Sequence, residues 1–364
     1  MNDASTPAPS NMLSAADEET ALEQLHASKS TDGLPVVIPT PERVQRMVLA
    51  TGMDGDLVLG EMGPMWGAAT VHKVAIAAVM AGCLPDYAPV VVATIRAVLK
   101  PEFDLAEMQG TTHVTAPLVI INGPARQAAG GIASGFGALG PGHRANASIG
   151  RALRLAMINI GGAWPGESDM ALHGHPGKFT YCLAEDEEHS PFPPLHTTFG
   201  YDANQSAVTV VGAEAPHSVI FTGDADDPAS ADHYLNALAG VIANTGSNNA
   251  FLGGDGAVVV VMNPDHGRVL TRAGYSRQYV QQRLAELATN PRERLMQINP
   301  KMLRAEEEFV PAVRDPERIH LLTAGGGGLY SLVMPSWCAG PHQNSAVHAE
   351  IELDAFCEVP GATQ

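Results

Sequence analysis

Apolar residues in this chain come in short blocks cut by glycine, proline and acidic residues, and the length and period of each block predict an element. Residues 116–121 are an unbroken apolar run closed by Asn122, Gly123 and Pro124, which predicts a strand buried on both faces. The apolar span 70–82 is longer and predicts a helix stopped by Gly82. Thr40 before Pro41 reads as an N-cap with proline at the first helical position, opening a helix that runs to Gly52. Pro85 starts a further helix through Leu99, closed by Pro101, and another spans 146–160. Beyond 205 the blocks alternate. Strands are expected at 207–211, 217–221, 257–262, 319–323 and 347–353, with helices at 230–243, 265–273 and 276–289.

That alternation predicts an α/β fold of two halves, with mixed or parallel sheets and glycine-rich loops. The halves are expected at 34–215, carrying the candidate site, and at 216–364; no internal repeat is visible in the sequence. Residues 1–33 hold six acidic side chains against one lysine and predict a disordered acidic tail, with a short helix near 15–26. The stretch 161–205 has no period and is crowded with Gly, Pro, His and acidic residues; such long loops are usually functional.

Charge narrows the partners. The formal net charge is −18, from 21 Lys+Arg against 39 Asp+Glu, and only five residues are lysine. A nucleic-acid binder needs a basic footprint and an anionic membrane repels such a chain, so neither partner is expected. Cys83, Cys182, Cys338 and Cys357 are widely spaced without a CxxC, which predicts reduced thiols. There is no basic-then-apolar leader and no apolar run of bilayer length, so the expected location is cytoplasmic. The composition is also compatible with a homo-oligomer.

Candidate chemistry concentrates between Gly60 and His196. Cys83 follows the predicted helix end and precedes Pro85 by two residues. The free N–H groups of the next helix are expected to favour its thiolate; the competing reading is a small buried hydrophobe. His72 lies eleven residues earlier, about 16 Å of helical rise, too far for a direct dyad. The run 134–142 contains a literal GxGxxG, but the preceding strand ends too early and Pro141 delays the helix, against a dinucleotide fingerprint. What remains is an anion holder: backbone N–H groups of Gly135, Gly137 and Gly140 beside Arg144 and Asn146.

His113, just before the 116–121 strand, is placed for acid–base work. Lys178 is a further catalytic candidate if its pKa is lowered. His173 and His175, two apart, point the same way in an extended segment; with Glu188 or His196 they predict one divalent metal. Glu185–Glu188 are otherwise a solvated acidic turn. Thr323–Gly328 is a second possible anion cradle, opposite the first if the halves face each other.

Three runs carry a resemblance. Residues 69–91 (including His-Lys-Val-Ala-Ile-Ala-Ala-Val-Met-Ala-Gly-Cys-Leu-Pro-Asp), 140–151 (Gly-Pro-Gly-His-Arg-Ala-Asn-Ala-Ser-Ile-Gly-Arg) and 175–182 (His-Pro-Gly-Lys-Phe-Thr-Tyr-Cys) resemble the bacterial UGSC-type (seleno)protein family. The likeness extends from about Leu34 to Asp354. The Cys-Gly-Ser-Cys signature behind the family's label is absent here, and the resemblance implies no particular activity.

The leading expectation is an enzyme that cleaves a small anionic organic substrate by hydrolysis or elimination, without a cofactor. Cys83 is its nucleophile, His113 or His175 its proton carrier, and Arg144 with the Gly135–Gly142 amides its anion holder. The alternative is a metal-dependent hydrolase, hydratase or lyase using His173, His175 and Glu188 or His196. A third reading is a small-ligand binding or thiol-redox protein without turnover.

Overall fold

The computed structural model describes residues 12–252 and 254–353. Numbered along the chain, eight strands of the described residues make two four-stranded sheets. They are β1 (Ala116–Asn122), β2 (Cys182–Ala184), β3 (Ala207–Ala213), β4 (His217–Ile220), β5 (Val258–Met262), β6 (Ile319–Thr323), β7 (Tyr330–Pro335) and β8 (Val347–Glu350). The helices that cover them are α1 (Glu18–Ala27), α2 (Pro41–Ala50), α3 (Val71–Ala81), α4 (Ala88–Val98), α5 (Arg144–Asn159), α6 (Ser230–Ile242), α7 (Pro264–Ala273) and α8 (Arg277–Leu287).

Every residue of β1 is buried, as its unbroken apolar run predicts. Alternate side chains leave a strand on opposite faces, so such a strand needs cover on both sides. Val119 and Ile121 pack under the helical layer of α3, α4 and α5, while Leu118 and Ile120 join a second cluster. That second cluster is the seam between the sheets, where Leu118, Ile120, Leu183 and Val211 meet Val259, Val261, Leu322 and Met334. The outer face of the second sheet is covered by α6, α7 and α8, through Val258, Val260 and Leu321. The chain is therefore an α/β fold in four layers, helix–sheet–sheet–helix. Both sheets are mixed: β1 runs parallel to β2 and antiparallel to β3, and β5 runs parallel to β6 and antiparallel to β7.

Those two triplets have the same plan, and each adds a fourth strand, one taken from just before the second triplet and one from after it. Strand β4 pairs with β7, and β8 pairs with β3. The helix before each central strand repeats the plan: α4 packs on β3 and β8, and α6 packs on β7 and β4. A buried asparagine stands at the end of each: Asn122 is the last residue of β1, and Asn263 directly follows β5. The repeat escapes the sequence because the two central strands share only apolar character and that asparagine.

The placement of β8 corrects the expected division near residue 215. The strand after that point belongs to the second sheet, but β8, expected in the second half, closes the first. The expected acidic tail is corrected over 12–33. Asp17 caps α1 by accepting from the Thr20 N–H, and the Asp32 carboxylate, 3% exposed, takes two hydrogen bonds from Arg151 at 2.7 and 2.8 Å. Residues 1–11 and the C-terminal stretch 354–364, with Cys357, lie outside the described residues. The long loop at 161–205 contains β2, whose three residues are too few to show a period. No helix of the described residues is long and apolar enough to cross a membrane.

Candidate active site

At the end of the first sheet where β1 begins and β3 finishes, the chain gathers acid–base groups from four segments. His113 enters β1 with its backbone N–H bonded to the Thr111 hydroxyl, itself fixed by the Trp337 indole N–H at 3.1 Å. Glu214 follows the last residue of β3, its N–H bonded to the Pro335 carbonyl at the end of β7. The join between the two sheets thus sets the position of Glu214. Its Oε1 lies 2.9 Å from His113 Nε2, and the two side chains are 17% and 15% exposed. In neutral His113 the carboxylate holds the proton on Nε2 and leaves Nδ1 as the acceptor, the orienting role of a catalytic carboxylate. His113 Nδ1 is buried and has no partner among the described residues.

His175 stands beside this pair. Burial lowers its pKa, as does Lys178, so the ring is neutral near pH 7. Its Nδ1 accepts from the Gly177 N–H at 3.1 Å, which places the proton on Nε2, buried and with the Ala213 backbone carbonyl as its neighbour. The ring packs edge-on against Tyr181, whose hydroxyl donates to the Glu214 backbone carbonyl at 2.9 Å. A Cβ at position 177 would come within 2.5 Å of the His175 ring and 2.8 Å of the Tyr181 ring, so glycine is needed there.

A cationic group completes the site. Asp169, 3% exposed, accepts from Lys178 Nζ at 2.8 Å and from Arg154 at 2.9 Å. Two cations thus share one carboxylate, and Lys178 keeps two further N–H donors. Burial lowers the Lys178 pKa, opposed by the bond to Asp169. A cavity of about 10 Å³ lies against Gln109, Arg154, Gly177 and Lys178, room for one water-sized molecule.

The structure thus brings together three of the residues expected to be catalytic, His113, His175 and Lys178. It separates them from the fourth. Cys83 is buried, and burial pushes its thiol up to about 12, against the smaller effects of the Ser148 hydroxyl and Arg144. The expected thiolate is corrected on that ground: a three-residue turn, Pro85–Tyr87, separates Cys83 from the start of α4, and desolvation outweighs the charge near it. Arg144 does not serve the glycine loop either. Its guanidinium donates to the Gly82 carbonyl at 3.0 and 3.3 Å, closing the end of α3. Asn146 is likewise structural: its side chain bonds the Ala133 N–H and carbonyl and the Ala138 carbonyl. Gly137 and Gly140 line a separate cavity at the other end of β1, and Gly135 lies in the same loop.

The expected metal ligands are dispersed. His173 is exposed on the loop, and His175 faces Tyr181. Glu188 is clamped by Arg126 at 2.8 and 2.9 Å, which holds its carboxyl at about 2. His196 is buried with Nε2 3.1 Å from the Asp202 carbonyl. Among the described residues, no group of three or more His, Cys, Asp or Glu side chains is placed to hold a metal ion.

Nor is 185–188 a solvated turn. Glu185 is fully buried and accepts from Asn122 at 2.6 Å and from the Leu195 N–H at 2.7 Å. Glu187 accepts from the Gly123 N–H at 2.7 Å and pairs with Arg126 at 3.0 Å. The run bolts the ends of β1 and β2 together. The second expected anion cradle fails because the Asp265 carboxylate lies against Gly327.

Sequence reasoning missed Glu214, Asp169, Arg154 and Tyr181. Only Glu214 carried a signal, as the first carboxylate after the fully apolar run 207–213. The repeated plan also speaks for the His113–Glu214 pair. When the halves are aligned on Asn122 and Asn263, its counterparts are Gly254 and Trp337. The pair is thus no requirement of the topology. No protein-family model matches the chain, and no curated protein shows significant similarity to it.

Proposed function

We propose that the chain is an enzyme that cleaves a small carboxylate-bearing substrate by hydrolysis or elimination, with His113 as the base. The observation that carries this reading is the imidazole held through Nε2 by Glu214, with Nδ1 buried and without a partner among the described residues. His113 Nδ1 takes a proton from water, or from the carbon beside the substrate's carboxylate, and Glu214 stabilises the resulting imidazolium. The imidazolium then returns that proton to the departing group. The neutral His175 ring donates its Nε2 hydrogen bond to the oxygen on which charge develops. Lys178, with Arg154 behind it, takes one carboxylate oxygen, the size of guest that the cavity beside them admits. Cys83 has no part in this scheme. Kinship with the UGSC-type family stays within the same proposal, resting on the runs at 69–91, 140–151 and 175–182.

Titration calorimetry with acetate, malonate and succinate tests the anion subsite without knowledge of the substrate. Lys178→Met is expected to weaken binding by about tenfold or more, the loss of one charge-assisted contact. Arg144→Ala is expected to leave it unchanged. Equal binding by wild type and Lys178→Met would overturn the subsite.

A further inference from the structure

The residues expected to hold an anion, Gly137 and Gly140, do line a cavity, but one whose chemistry suits a different guest. Where the sheets meet, at the end of β1 opposite His113, a cavity of about 250 Å³ opens between two loops. Leu183, Val261 and Leu332 form its floor, and the loops contribute Gly137–Gly140 on one side and Gly325–Gly326 on the other. Its walls are preformed. The Gly325 N–H bonds the Ser134 carbonyl at 2.7 Å, and the Asn263 amide bonds the Gly328 and Tyr330 carbonyls at 3.0 and 2.8 Å. The Phe136 ring lies so close over Gly326 that a Cβ there would come within 2.0 Å of it.

Three features define the guest. Phe136 and Tyr330 are 79% and 58% exposed beside the opening, an unusual exposure for aromatic rings and a stacking surface for a planar molecule. The N–H group of Gly326, which lines the cavity, donates to no acceptor among the described residues, nor do those of Gly327 and Gly328 after it, so a hydrogen-bond donor stands free in the wall. The Asp265 carboxylate, paired with Arg268, lies against Gly327 and opposes an anion there. We infer that this cavity binds a neutral planar nitrogen heterocycle of nucleobase or nucleoside size. The ring lies over the apolar floor beside Phe136 and Tyr330, and its acceptor atoms meet the glycine amides. The site is independent of the His113 site.

Calorimetric titration of the full chain with adenine, adenosine, uridine and benzoate tests this. Saturable binding of a neutral heterocycle is expected with a Kd of about 1 mM or tighter. Phe136→Ala is expected to weaken it by about tenfold or more, the loss of one stacking partner, and His113→Asn to leave it unchanged. Adenine against adenosine separates the free base from the nucleoside. The proposal is overturned if no heterocycle saturates, if benzoate binds as tightly as the heterocycles, or if Phe136→Ala binds like wild type. Gly326→Ala, whose Cβ must displace the Phe136 ring, provides a second variant with the same expected loss.

Discussion

Replacing Asp169 by alanine is expected to lower the unfolding free energy by about 3–5 kcal/mol, the largest single-site loss in the candidate active site. The carboxylate is 3% exposed and neutralises both Arg154 and Lys178, themselves 9% and 14% exposed. Its removal leaves two nearly buried cations facing each other, and desolvation in such a place costs far more than a surface pair returns. Adding Lys178→Met to the Asp169→Ala chain should recover part of the loss, because one of the stranded cations is then gone. Urea unfolding of the four chains measures this. Additive losses would show that Asp169 and Lys178 are not coupled through their ion pair.

The second large effect lies at Glu185. Burial pushes its carboxyl from 4.5 up to about 7, against hydrogen bonds from the Leu195 N–H and Asn122. The folded chain therefore holds a proton between about pH 4.5 and 7 that the unfolded chain releases. Linkage then makes stability fall as pH rises through that window, with the loss complete above it. The window corresponds to about 3 kcal/mol. Glu185→Gln keeps the neutral form at every pH. It is expected to match wild type near pH 4.5 and to exceed it by up to about 3 kcal/mol at pH 8. Unfolding midpoints of both chains across this range give the difference directly; parallel curves would mean that Glu185 stays ionised in the fold.

How much of this was legible in the sequence follows from what each residue's role depends on. The β1 strand and the α3, α4 and α5 helices were readable because an apolar run or a proline and glycine boundary is a local signal. The pairing of β4 with β7 and of β8 with β3 was not, because strand partners are set by packing between segments more than a hundred residues apart. His113, His175 and Lys178 could be picked out as residue types in a loop-rich region. Their convergence depends on Glu214 and Asp169, which pair across the fold and leave no spacing to recognise. Cys83 misled because sequence places a thiol beside a helix terminus without telling how far it is buried. Arg144 misled similarly: its neighbours along the chain suggested an anion, but in space it closes a helix end.

The most direct test of the account compares turnover by wild type, His113→Asn and Cys83→Ser on a panel of small carboxylate-bearing esters, amides and β-hydroxy acids. His113→Asn is expected to lose about 10²–10⁴-fold in kcat on any substrate the wild type cleaves, while Cys83→Ser retains its rate. Turnover that survives in His113→Asn and disappears in Cys83→Ser would contradict it and return the chemistry to the thiol.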